Sequence, residues 1–130
     1  MFKKNITEIK ASNAPGPAGP YSQAVAAGDM VFVSGQIPLE GKDSSLVPGG
    51  IREQTACVIE NTERILKAAG TGLEKVVKVD IFLSDLKDLS GMNEVYASRF
   101  VSGTRPARCV VEAARLPKDV KIEMSCTAYR

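Results

Sequence analysis

The stretch Arg105–Glu123, RPARCVVEAARLPKDVKIE, carries two β-forming runs around one short turn. Pro106 biases Arg105 toward an extended backbone, and Cys109, Val110 and Val111 after Arg108 are strand formers. Arg108 therefore stands at the mouth of a strand, where its planar five-donor fork can grip a carboxylate bidentately. Leu116–Asp119 supplies the turn. Val120–Tyr129 then alternates Ile122, Met124, Cys126 and Ala128 with Lys121, Glu123, Ser125 and Thr127. A period of two with one apolar face buries the first set and turns Glu123 away from that core. Two adjacent strands would bring a cationic anion holder and a carboxylate near one site. The competing readings are an ion pair of Arg108 with Glu112 or Glu123, and a merely solvated Glu123.

Upstream of that stretch, Lys75–Leu83 alternates Val77, Val79, Ile81 and Leu83 with Val76, Lys78, Asp80 and Phe82, a strand predicted to bury the Val77 set. Ser84-Asp85 offers N-cap chemistry for a helix running to about Phe100. Its apolar stripe is Leu89, Met92, Val95, Tyr96 and Phe100, with Asn93 beside it. The clearest helix is Ile51–Ala69, where Ile51, Thr55, Val58, Ile59, Thr62, Ile65, Leu66 and Ala69 recur at steps of three and four and Gly70 stops the run. Arg52, Glu53, Glu60, Glu63, Arg64 and Lys67 form its wet face.

Tyr21–Ala26 and Met30–Ser34 form a hairpin around Ala27-Gly28-Asp29, and Gly35 permits close approach by another group. Asn5–Lys10 is a short first strand, Ser12–Pro20 a loop, and Leu39–Gly50 a polar surface loop. The order β-β-β-α-β-α-β-β implies an α+β fold, a mixed sheet of about six strands with both helices on one face. The other face is then partly exposed and apolar, which points to self-association.

The chain has 130 residues, the length of one domain, 1–130. Seventeen Lys and Arg against fifteen Asp and Glu leave a net charge of +2, and the basic residues are scattered instead of clustered as in nucleic-acid binders. Aromatics make up 5% with no Trp, little material for base stacking. There is no His, which removes the commonest general base, the commonest metal ligand and any Ser-His or Cys-His pair. Cys57, Cys109 and Cys126 lie far apart without CxxC spacing and read as three reduced thiols. No metal and no cofactor is expected. No apolar run approaches the roughly 18 residues of a membrane span. The start, MFKKNITEIKAS, lacks the apolar core of a secretory signal, and Glu8 counts against a mitochondrial presequence. The expected compartment is the cytoplasm, with the mitochondrion as the alternative.

Three blocks in order carry a resemblance: Gly19-Pro20-Tyr21-Ser22-Gln23-Ala24, Val33-Ser34-Gly35-Gln36-Ile37-Pro38, and the run from Pro106 to Met124. They resemble the RidA family, also called YjgF, YER057c or UK114, and the likeness extends from about Ala11 to Tyr129. It implies a chorismate-mutase-like fold assembled as a homotrimer with sites at subunit interfaces. It also implies hydrolytic deamination of 2-imino acids and their 2-aminoacrylate-type enamines, such as 2-iminopropanoate and 2-iminobutanoate, to 2-keto acids and ammonia. Their sources would be pyridoxal-phosphate-dependent serine and threonine dehydratases.

Carried over residue by residue, the resemblance makes Arg108 the clamp on the substrate carboxylate. Backbone groups of Gly35, Cys109 and Val110 would complete the cradle, and Ser34 and Tyr21 would line it, Tyr21 from a neighbouring subunit. Glu123 would orient or deprotonate the attacking water, or protonate the departing ammonia. Asn93 would help form the pocket. One departure stands out: many members read PARSC, whereas here Cys109 replaces the Ser and Val110 the Cys. A backbone role at that position tolerates the change, and a catalytic thiol there does not. The alternatives are an endoribonuclease or translation inhibitor, against which the missing His, modest charge and scarce aromatics count, and a non-catalytic module for small carboxylates or partner proteins.

Overall fold

Alternation in the first third of the chain builds a meander: Ile6–Ile9 (β1), Ala24–Ala27 (β2) and Met30–Gln36 (β3) pair antiparallel in sequence order. The computed structural model describes residues 5–130, so Met1–Lys4, with the two lysines weighed for a presequence, lie outside it. Gly28 takes φ +59° in the two-residue turn that sets Ala27 opposite Met30, a conformation glycine adopts without strain. Leu39–Glu40 (β4) and Ser45–Leu46 (β5) form a small separate hairpin inside the stretch read as a polar loop. Its anchor is buried Leu39, whose carbonyl accepts from Asn61 Nδ2 at 2.8 Å.

Ile51–Ala68 (α1) follows, then Val76–Leu83 (β6), Leu89–Arg99 (α2), Ala107–Glu112 (β7) and Ile122–Tyr129 (β8). The six-stranded sheet runs β1-β2-β3-β8-β6-β7, antiparallel throughout except for the parallel β6–β7 pair. The fold is thus α+β with a mixed sheet. Val31, Val33, Val79, Ile81, Met124 and Cys126 meet Val58, Ile59, Ile65, Leu66 and Met92 in one core.

The α1 stripe is buried as its period requires, and Gly70 at φ +81° ends the helix. Two polar residues outside that stripe are buried as well. Gln54 Oε1 accepts from Lys121 N at 2.8 Å, so α1 pins the approach to β8. The predicted wet face of α1 also reaches α2: Arg52 pairs with Glu94 at 2.9 Å, and Arg99 with Glu60 and Glu63 at 3.2 and 3.0 Å. Asp85 accepts from Lys87 N at 2.8 Å and caps a short 3₁₀ turn, Leu86–Asp88, instead of α2 itself.

β6 corrects one expectation. Val76 is buried and Val77 is exposed, because the register against β8 shifts between Val76 and Lys78. A bulge inserts an unpaired residue, so a period-two count carried through it assigns the wrong face. The sheet face away from the helices exposes Phe32 and Val111 at 45% and 44%. Among the described residues no helix is long and apolar enough to cross a membrane.

Candidate functional site

Glu123 lies on that open face, since its neighbours Ile122 and Met124 are fully buried on the other side of β8. On the neighbouring β3, the register against β8 shifts between Val33 and Gln36, so Ser34 and Gly35 together face Ser125. This bulge lays the Gly35 backbone against the Glu123 carboxyl. A Cβ built on Gly35 would stand 3.0 Å from Glu123 Cδ and 3.1 Å from Oε2. The close approach expected at Gly35 is therefore made by Glu123 itself. Burial pushes the Glu123 carboxyl above the usual carboxylate range. Ser34 Oγ donates to the Ser22 carbonyl at 2.6 Å, which ties the bulge to the segment carrying Tyr21.

Tyr21 precedes β2 instead of opening it, because Gln23 is occupied elsewhere. The Gln23 amide accepts from Ala11 N at 2.7 Å and donates to the Ala11 and Pro15 carbonyls at 3.1 and 2.9 Å. This clamp shapes the proline-rich loop, and sequence reading missed it; the only signal was a glutamine next to that loop. Tyr21 is half exposed, and its hydroxyl accepts from Ala18 N at 3.2 Å. Tyr21, Gly35, Gln36 and Lys118 share a small cavity of about 50 Å³. Lys118 holds φ +55° in a turn braced by a bidentate Arg115–Asp119 pair at 2.7 and 3.1 Å.

One expected result follows from the bulge. Gly35→Ala crowds the carboxyl, and the long Glu123 side chain must yield by a few tenths of an ångström. Catalysis that depends on Glu123 should fall by about tenfold, since small misplacements of a reacting group are costly. The melting temperature should barely move, as Gly35 is exposed. Steady-state kinetics alongside thermal unfolding checks both.

Arg108 occupies a different place. β7 is an edge strand with exposed side chains except at Val110. Arg108 makes no ion pair or side-chain hydrogen bond among the described residues, so neither Glu112 nor Glu123 is its partner. Glu112 instead accepts from Leu86 N at 2.9 Å. The Arg108 guanidinium carbon lies 4.7 Å from the ring centroid of Tyr96 on α2. Asn93 precedes Tyr96 by three residues on the same helix and so shares its face. Val110 packs on the core, while the Cys109 side chain is exposed beside Asp80, its register partner. Because β7 pairs on one side only, half of its backbone groups point outward unpaired, which suits a backbone role at Cys109 and Val110.

The expectation of adjacent strands is overturned. β6 stands between β7 and β8. On β6, Val79 is the register partner of Arg108 and Phe82 that of Glu123. Val79 and Phe82 are three apart and point to opposite faces, and laterally paired residues share a face. Arg108 thus sits on the helix side of the sheet and Glu123 on the open side. One chain presents two separate groups: Tyr21, Ser34, Gly35 and Glu123 in one, and Arg108, Asn93 and the β7 edge in the other.

A concavity of about 1300 Å³ lies elsewhere, between residues 8–17, the β4–β5 hairpin and α1. Lys10 pairs there with Glu8, and Arg64 with Glu60 and Asn61; the Gln23 clamp forms one wall, and none of the predicted site residues lines it. Burial pushes the thiols of Cys57 and Cys126 up to about 11 and about 12, far from thiolate formation at neutral pH. No group of three or more His, Cys, Asp or Glu that could hold a metal occurs among the described residues.

Fold and side-chain placement together define a small α+β protein with an arginine that has no ion-pair partner among the described residues and, on the opposite face of the sheet, a half-buried carboxyl. The family model described as Endoribonuclease L-PSP matches residues 11–130. A RutC family protein of Pyrococcus horikoshii is 50% identical over 122 residues, covering 94% of this chain and 96% of that one. TdcF of Escherichia coli, named as a reactive intermediate deaminase, is 41% identical over 124 residues, covering 94% and 95%. The TdcF structure with bound serine superposes with a TM-score of 0.88 at 38% identity, covering 95% and 98%. An endoribonuclease-named structure from Thermotoga maritima gives 0.90 at 44% identity, covering 95% and 96%. The chain belongs to the RidA family.

Proposed function

We propose that the protein hydrolyses 2-imino acids and their enamine tautomers to 2-keto acids and ammonia, in sites formed between copies of the chain. The observation that carries this is the separation of Arg108 and Glu123 onto opposite sheet faces. The two groups are half-sites, and each lacks what the other holds. Docking the β7 edge of one copy against the open face of the next, repeated around a ring, brings the two together without a dyad. Phe32 and Val111 on the open face supply apolar surface for that contact. The assembly is a homotrimer in this reading, as the family resemblance implies.

In the joined site Arg108 holds the substrate carboxylate by a charge-assisted fork. Glu123, whose protonated form burial favours, donates a proton to the imine nitrogen and then receives one from the attacking water. Water adds to C2, the resulting carbinolamine loses ammonia, and the 2-keto acid remains. Outward backbone groups of β7 and Gly35 complete the cradle, with Tyr21, Ser34 and Asn93 around it. No thiol is needed, so the Cys109-Val110 departure is compatible with activity. Deamination agrees with the deaminase name of TdcF, and in this reading the substrates come from pyridoxal-phosphate-dependent dehydratases. The endoribonuclease name carried by the family model is the second reading. It predicts RNA cleavage that persists through purification and is lost with Arg108→Ala.

The test uses two impaired variants. A serine or threonine dehydratase generates the imine, semicarbazide traps it, and suppression of trapping reports hydrolysis. Arg108→Ala and Glu123→Gln are each assayed alone and then co-expressed. In an interface site, random mixing pairs an intact Arg108 with an intact Glu123 at about one interface in four, so about a quarter of wild-type activity returns. A mixture no more active than its parents, or a monomer in sedimentation at micromolar concentration, overturns the interface model. Wild-type protein that leaves trapping untouched overturns the deaminase reading.

A further inference from the structure

We infer that Tyr96 is a positioning residue for the reaction: its ring face holds the Arg108 guanidinium in the plane from which the fork meets the substrate carboxylate. The inference rests on Arg108 as the carboxylate clamp and adds what sets its geometry. Arg108 is an exposed side chain on an edge strand, with no ion pair or side-chain hydrogen bond among the described residues. An arginine in that situation samples many rotamers, and ordering it on substrate binding costs affinity. The contact that does fix it is the Tyr96 ring, 4.7 Å from the guanidinium carbon. A cation over an aromatic face is attracted by the ring quadrupole, and arginine stacks there while leaving its in-plane N–H donors free.

Tyr96 is built to be a rigid platform. It is only 6% exposed and stacks on Phe100 with ring centroids 4.4 Å apart at 24°. Its hydroxyl is buried without a hydrogen-bond partner among the described residues, so the ring, not the hydroxyl, makes the contact that matters. α2 thereby connects the core to the clamp: Met92 and Phe100 bury the helix, and Tyr96 presents one ring face outward to β7. The parallel β6–β7 pairing sets the height of Arg108 over that face through its register with Val79.

The experiment separates the electrostatics of the ring from its shape. Tyr96→Phe removes the hydroxyl and keeps the ring, and replacement of Tyr96 by stepwise fluorinated phenylalanines then drains the quadrupole at nearly constant size. Binding of 2-ketobutyrate, the product of 2-iminobutanoate hydrolysis, is measured by calorimetry, and KM and kcat are measured in the trapping assay. The expected result is a rise in Kd and KM of about three- to tenfold from phenylalanine to the fully fluorinated ring, with kcat within about twofold. The melting temperature stays level across the series, and Tyr96→Phe is the reference against which the fluorinated rings are read. A purely structural Tyr96 would move the melting temperature without moving Kd. Flat Kd and KM across a folded series overturn the inference, as does a loss of kcat in Tyr96→Phe, which would assign the role to the hydroxyl. Arg108→Ala is measured beside them. If it leaves Kd unchanged, the clamp reading has failed and the inference falls with it; if it weakens binding while the fluorinated series stays flat, only the platform is wrong.

Discussion

Arg108→Ala should lower kcat/KM for 2-imino acid hydrolysis by roughly tenfold to more than a hundredfold, while the protein keeps its fold. A hydrogen-bonded pair with a charged partner contributes about 1.5–3 kcal/mol, and each 1.4 kcal/mol is a factor of ten. The loss should appear mainly in KM and in Kd for the 2-keto acid, because the carboxylate is bound in ground and transition state alike. Stability should change little, by no more than about 1 kcal/mol, since Arg108 is an exposed residue on an edge strand with no ion pair among the described residues and only its contact with the Tyr96 ring to lose. Arg108→Lys should recover only part of the activity, as an ammonium offers neither the planar fork nor the stacking on Tyr96. Activity of Arg108→Ala equal to wild type would remove the clamp from the mechanism.

Glu123→Gln should have the larger effect on turnover, about 10²–10⁴ in kcat, the usual contribution of a general acid–base group. Two pH dependences follow from the raised carboxyl. In catalysis, the limb assigned to Glu123 should lie above the ordinary carboxylate value of 4.5 and vanish from the residual activity of Glu123→Gln. In stability, the sign is set by proton linkage. Burial makes the folded protein hold the Glu123 proton more tightly than the unfolded chain does, so this group favours the fold below pH 4.5. That preference is lost as pH rises from 4.5 through the folded-state value, after which the penalty is constant. Glu123→Gln should therefore melt above wild type at neutral pH, with the difference closing in acid. Asp119 and Glu53, whose carboxyls are held low by the Arg115 hydrogen bond and by backbone N–H groups respectively, act in the opposite direction and favour the fold above their unfolded values. Comparison of the two proteins, not the wild-type curve alone, isolates Glu123. Equal melting temperatures at every pH would contradict a desolvated carboxyl at this position.

Side-chain period was the strongest signal in the chain. The alternation around Glu123 reports a face correctly because β8 is regular from Ile122 to Tyr129 and one of its faces is fully buried. The same reasoning failed at Val77, and it could not have placed Gly35 against Glu123, because both lie at bulges. A bulge inserts a residue without a compositional mark beyond the glycine itself, so counting by twos loses phase there. The stripe of α1 was legible for the opposite reason: an uninterrupted helix preserves its period over five turns. The buried amides of Gln54, Asn61 and Gln23 were not, since their partners are backbone groups 67, 22 and 12 residues away.

From the sequence alone came the α+β class, the inventory without His, the extended start that presents Arg108, and the orientation of Glu123 away from the core. These are local properties, set by backbone sterics and by which side chains avoid water along one element. Which strands lie side by side is a different quantity. It depends on loop closure and on burial summed over the whole sheet, and no period or motif in 105–123 encodes it. Only the tertiary structure inserted β6 between β7 and β8, turned Arg108 and Glu123 to opposite faces, and seated the guanidinium on Tyr96. Alternation along β8 settles the side of Glu123, whereas β7 is exposed along nearly its whole length and the side of Arg108 is settled by its pairing with β6.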